Sequence, residues 1–168
     1  MAARLGCESA DGALGHHKIA AVAPVSGGPV SESGDIHELF SCPALMSDPV
    51  PMRMIVSNND TTVAGLVGLP ASAVTDTFRL IAHQWASQSG SAGFPSDVLT
   101  GRTGWGVLAE TVTYRSLSDP LGRRDVVLDI FDTGGPDRDG HLWPGSWWQT
   151  EYRATDVIWS FFKAHPRP

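Results

Sequence analysis

Apolar positions along the chain fall into two patterns, short unalternated runs and longer stretches at helical spacing, separated by segments rich in Gly, Pro and Ser. The runs Lys18–Val25, Met52–Val56 and Asp125–Phe131 carry almost no polar alternation. Such runs suit strands buried on both faces of a parallel sheet. Glu110–Ser116 alternates polar with apolar, which predicts a half-exposed strand. From Ser72 to about Gln88, the residues Ala73, Val74, Phe78, Ile81, Ala82 and Trp85 recur at helical spacing, with Ser72 as cap and Gly90 as stop. Ala154–Lys163 predicts a closing amphipathic helix, with Pro166 just beyond it. Phe78, Trp85, Trp159 and Phe162 are expected in the core as the apolar faces of these two helices. The segments Gly27–Pro51, 89–110 and Asp132–Gly140 read as loops.

Strands alternating with helices predict an α/β domain with a mostly parallel sheet. In such sheets function collects on loops leaving the carboxyl ends of the strands. The first residues, Met1-Ala-Ala-Arg-Leu-Gly-Cys-Glu-Ser9, are helix formers with no Ser, Thr, Asp or Asn ahead of them to cap the free N–H groups. The chain therefore reads as starting inside a helix.

Length and composition narrow the picture further. One domain of roughly 100–200 residues accommodates the whole chain of 168. Hydrophobic residues make up 42% and charged residues 18%, which excludes an intrinsically disordered chain. The net charge of −6, without a basic run, argues against a nucleic-acid partner. Nothing approaches the ~18 continuous apolar residues of a membrane span, so no membrane partner is expected, and the N-terminus lacks the apolar core of a signal peptide. Cys7 and Cys42 are either two small buried residues or one disulfide of an exported protein. Neither stands in a C-x-x-C pattern, so no zinc site is expected.

Two loops carry candidate chemistry. Asp60 follows the run ending at Val56, and His141 follows the run ending at Phe131. Alone, Asp60 reads as a turn residue bonded to its own backbone and His141 as a surface loop residue. Trp143 and Pro144, bounded by Gly140 and Gly145, are stiff enough to hold the imidazole in one orientation, as a general base requires. An Asp and then a His, each after a strand, is the tail of the Ser–Asp–His order of α/β-hydrolases. The nucleophile is missing, because no G-x-S-x-G occurs. Ser26 is the nearest imitation but lacks the preceding Gly and the following helix, and Ser91 and Ser146 are ordinary loop serines. Asp132, Asp137 and Asp139 faintly suggest a calcium loop but lack the remaining ligands of an EF-hand. They read instead as a solvated acidic loop, and His16-His17 reads as a surface pair. No metal or cofactor is expected. Trp147 and Trp148 either pack or, with Trp143, line a substrate pocket.

Four segments carry a resemblance to a known family: Met1–Glu8, Ile19-Ala-Ala-Val-Ala-Pro-Val-Ser-Gly27, Gly140-His-Leu-Trp-Pro-Gly145 and Ala154–Pro166. Together they resemble the C-terminal portion of the polyhydroxybutyrate depolymerase and feruloyl esterase-like carboxylesterases of the α/β-hydrolase superfamily. The resemblance implies a serine-type ester hydrolase whose catalytic acid and base are Asp60 and His141. It also implies a nucleophile a few residues before Met1, and so a single incomplete domain over residues 1–168. The family's acid usually sits in an H-G-x-x-D-x-x-V-P motif, of which Val56-Ser-Asn-Asn-Asp-Thr-Thr-Val-Ala64 keeps the Asp and the Val. An ester substrate is the implied partner, and export is the implied destination. The chain alone is expected to be inactive and to self-associate through an exposed sheet edge. The alternative is a non-catalytic remnant or ligand-binding module of the same fold.

Overall fold

The computed structural model describes residues 2–13, 18–26, 41–91, 94–102, 104, 106–119, 121–133, 140–141, 143–145 and 151–166. Two of the three apolar runs form strands, β1 at Met52–Ser57 and β4 at Val126–Asp132, paired in parallel with Met52 opposite Val126, while the run Lys18–Val25 makes isolated bridges instead of a strand. Two further strands, β2 (Asp97–Thr100) and β3 (Val107–Tyr114), form a hairpin that joins β4 antiparallel, giving the order β1-β4-β3-β2. On the other side of β1, Val22 and Val25 make parallel bridges to Met52 and Ile55. The sheet is therefore mixed rather than mostly parallel. The correction has a local cause, because the glycines of segment 101–106 let the chain reverse into a hairpin instead of crossing over.

Alternation along the strands sorts the core into two layers. Met52, Met54, Val56, Leu128 and Ile130 face one way and pack with Ala3, Val74, Phe78, Ala82 and Trp85. Those partners come from α1 (Ala2–Ala10) and α3 (Ala71–Gln88). Ile55 and Phe131 face the other way, onto Tyr152, Ala154, Val157 and Ile158 at the start of α4 (Ala154–Ala164). Burying a side chain of this size contributes about 1.5–3 kcal/mol, so the first layer carries most of the apolar stabilisation. A short helix, α2 (Thr61–Val67), follows β1 directly.

Several expectations shift. The cap of α3 is Pro70 rather than Ser72, because proline's fixed φ suits the position ahead of a helix. The stop at Gly90 holds, at φ 71. Phe78 and Trp85 are buried, whereas Trp159 and Phe162 lie on the outer side of α4 at 62% and 36% exposure. The helix packs through Ala154, Val157, Ile158 and Phe161, a stripe that leaves the adjacent aromatic stripe outside. Cys7 and Cys42 form a disulfide, which ties α1 to the segment ahead of a 3-10 turn at Pro43–Met46. Closing a loop of that length contributes on the order of 4 kcal/mol by restricting the unfolded chain. Among the described residues no helix is long and apolar enough to cross a membrane.

Candidate active site

The site begins at the carboxyl end of β1. After Ser57 the chain turns through Asn58 and Asn59, and Asp60 caps α2, its Oδ1 accepting the Val63 N–H at 2.8 Å. That satisfies one of the donors left open at a helix start. Asp60 is completely buried. Alongside it, β4 leaves the sheet at Asp132. The Asn58 N–H donates to the Phe131 carbonyl at 3.0 Å, its side-chain amide to Asp132 Oδ1 at 3.0 Å, and its Oδ1 accepts the Thr133 N–H at 3.3 Å. One asparagine thus clips the two strand ends together.

His141 arrives on this platform by way of Gly140, whose N–H donates to the Asn59 carbonyl at 2.8 Å. A Cβ at Gly140 would overlap Ser57 Oγ and lie 2.5 Å from the Asn59 oxygen, so only glycine permits the approach. The next residue is thereby brought over the acid. His141 Nδ1 lies 3.2 Å from Asp60 Oδ1 and 3.1 Å from Oδ2. The imidazole is 41% exposed while its partner is wholly buried. A carboxylate only accepts hydrogen bonds, so Nδ1 carries the proton and Nε2 of the neutral ring is the basic nitrogen.

The far side of the His141 loop is docked on α4. The Trp143 indole N–H donates to Thr155 Oγ1 at 3.2 Å, and the Pro144 carbonyl accepts the Ala154 N–H at 3.0 Å. Gly145 adopts φ 90 where a Cβ would come within 2.9 Å of Arg153 Cα. Trp143 itself is 51% exposed beside the site. Trp147, Trp148, Ser146 and the pair His16-His17 lie outside the described residues, as do Asp137 and Asp139. Asp132 is used structurally, Oδ2 accepting the Gly104 N–H at 2.6 Å. No group of three His, Cys, Asp or Glu among the described residues is placed to hold a metal ion.

The serines weighed from the sequence are placed as follows. Ser91 donates to the Arg124 carbonyl at 2.6 Å. Ser26 follows the strand-like segment at φ 48, but its hydroxyl is buried and has no hydrogen-bond partner. A nucleophile elbow presents an exposed hydroxyl, so the burial of Ser26 agrees with the expectation that it is not the nucleophile. Sequence reasoning missed the Asn58 clip, although the Asn-Asn-Asp turn was its visible signal; Gly140 was singled out there, but not its close approach to Ser57 and Asn59.

A second His–Asp pair stands at the opposite end of the sheet. His165 ends α4, with Nδ1 2.7 Å from the Phe161 carbonyl oxygen and Nε2 3.5 Å from Asp125 Oδ2. Burial pulls the pKa of this histidine down. The hydrogen bonds to Asp125 and Phe161, with the charge of Asp125, outweigh it, so the net shift is upward. The ring borders a cavity of about 220 Å³ together with Ala20, Asp48, Pro51 and Arg123.

Compared with protein-family models the chain matches none, and no curated protein matches it either.

Proposed function

We propose that this chain carries the acid–base half of a serine-type carboxylic ester hydrolase, an α/β-hydrolase related to the polyhydroxybutyrate depolymerase and feruloyl esterase-like enzymes. His141 is the general base and Asp60 its orienting acid. One observation carries this reading: a buried carboxylate that caps a helix meets Nδ1 of a partly exposed imidazole, the two residues coming from segments that follow the adjacent parallel strands β1 and β4. The acid fixes the tautomer and stabilises the imidazolium. Nε2 takes the proton of an attacking hydroxyl and returns it to the leaving alcohol. In this reading the attacking serine comes from sequence ahead of Met1, and the ester lies near Trp143, with Trp147 and Trp148 as further lining. The Cys7–Cys42 disulfide supports an exported protein, since oxidising compartments preserve such bonds.

Expressing the chain together with the coding sequence upstream of it, in frame, tests the reading. A fluorophosphonate probe should label a serine ahead of Met1, and p-nitrophenyl butyrate should be hydrolysed. The 168-residue chain alone should do neither. Turnover by the short chain that Ser26→Ala abolishes would overturn it, as would an upstream sequence without a strand and elbow serine.

We also propose that the short chain self-associates through the outer edge of segment 21–25. There the backbone N–H and C=O groups of Ala23 and Val25 point away from β1, with no backbone partner among the described residues. Pro24 spends its missing N–H on the β1 side, so the outer edge keeps its donors. Sedimentation should show a concentration-dependent dimer that Ala23→Lys weakens. A monomer at every concentration would exclude it.

A further inference from the structure

The inner face of the sheet beneath α4 holds one charged cluster that the proposed chemistry does not use. Asp129, in the middle of β4, is completely buried. Its Oδ2 accepts from Arg53 Nε at 2.8 Å and from the Tyr152 hydroxyl at 2.5 Å, and its Oδ1 accepts from Thr111 Oγ1 at 2.8 Å. Three strands and the entry to α4 therefore meet at a single carboxylate. Replacing such a cluster by apolar residues is often neutral or stabilising, so stability alone does not explain it.

Its position relative to His141 suggests another role. The Tyr152 ring stacks on Phe131 with centroids 6.4 Å apart, and its backbone N–H donates to the Gly106 carbonyl at 3.2 Å. The next three residues are the ones on which the His141 loop rests. Arg153 lies against Gly145, Ala154 donates to Pro144, and Thr155 accepts from Trp143. On its other side the loop meets the end of β1 through Gly140 on Asn59 and through the Asp60–His141 contact itself.

We propose that Tyr152 is a positioning residue for His141. By donating its hydroxyl to Asp129, it fixes residues 153–155 as a seat for the His141 loop and so keeps the imidazole on Asp60. The phenol is held in its protonated, donating form, because burial first and the adjacent Asp129 charge second raise its pKa. The geometric inference stands on contacts within this chain, and its consequence for catalysis rests on the function proposed above.

The experiment reads the His141–Asp60 hydrogen bond directly, in the 168-residue chain, by 1H–15N NMR of histidine side chains. In the wild type, His141 should give one tautomer with a protected Nδ1–H. Tyr152→Phe keeps the ring against Phe131 but removes the donor, and exchange of the His141 Nδ1–H should quicken about tenfold, the effect expected for loss of one hydrogen bond. Thr111→Val removes a different bond to the same Asp129 and should leave the His141 signal unchanged. A folded Tyr152→Phe chain with an unaltered His141 signal, or an equal effect from Thr111→Val, would overturn the proposal. A measurement on the wild type covers a variant that does not fold. In dilute urea the His141 Nδ1–H and the Ala154 N–H should exchange through a common opening, and a faster opening private to His141 would also overturn it. Esterase activity enters none of these readouts, so the positioning role and the hydrolase reading fail separately.

Discussion

The two ends of the sheet each carry a histidine facing an aspartate, and the pairs are built to opposite ends. At the carboxyl end, His141 turns Nδ1 toward both oxygens of a fully buried Asp60 and leaves two-fifths of its side chain to solvent. At the amino end, His165 turns both ring nitrogens to acceptors, its side chain only 9% exposed. Acceptors facing both nitrogens favour the protonated ring, in line with the upward shift of its pKa. His165 therefore clamps the end of α4 to the residue ahead of β4, where a positive charge also suits the carbonyl-rich helix terminus. His141 instead faces a single carboxylate through Nδ1, the contact on which the proposed base role rests. The comparison teaches that a histidine near a carboxylate signals chemistry only when the second nitrogen's surroundings are considered.

The sharpest way to break this contrast is to remove each ring in turn from the protein extended by its upstream sequence. His141→Ala should lower kcat/KM for an activated ester about 10⁶-fold, the order of loss on removing a triad base. His165→Asn should leave it within about twofold, since it touches only structure. Equal losses from both would abolish the distinction. A smaller effect is expected at Gly140, where an added methyl must displace Ser57 or the Asn59 carbonyl. Gly140→Ala should destabilise the chain by about 1–3 kcal/mol, the range for overpacking, and detach the His141 loop, which thermal melting and loss of the His141 Nδ1–H signal would register.

The smallest effect concerns pH. Because the folded-state pKa of His165 is raised, its contribution is fully present below the unfolded value of about 6.5 and is lost as pH climbs through the folded value. The wild type should thus lose, as pH rises from about 6.5 through the raised folded-state value, stability that His165→Asn does not lose. Parallel melting curves across that interval would measure it, and identical pH profiles would remove the clamp.

Much of this was legible in the residues, for physical reasons that also explain what was not. Long apolar runs revealed β1 and β4, and the regular spacing of Phe78, Ala82 and Trp85 revealed α3, because burial on a fixed face leaves a period in the sequence. Asp60 and His141 were found by their order after successive strands, and the structure brings them within hydrogen-bond distance. By contrast, β2 is exposed along its whole length and α2 is only seven residues, so neither carries a burial period. In α4 seven of the eleven positions are apolar, and the stripe through Trp159 and Phe162 looks as good as the buried one through Ile158 and Phe161. Only the packing of Ala154 and Tyr152 against Ile55 and Phe131 decides between them. Asp60 is the turn residue bonded to nearby backbone that the sequence suggests, one oxygen capping α2, and both of its oxygens also face His141.

The central claim is that the His141–Asp60 pair activates a serine lying ahead of Met1. Mass spectrometry of the extended protein after fluorophosphonate treatment tests it most directly. The account predicts a single adduct on an upstream serine that disappears in His141→Ala. An adduct on Ser26, an adduct indifferent to His141→Ala, or no adduct at all would contradict it.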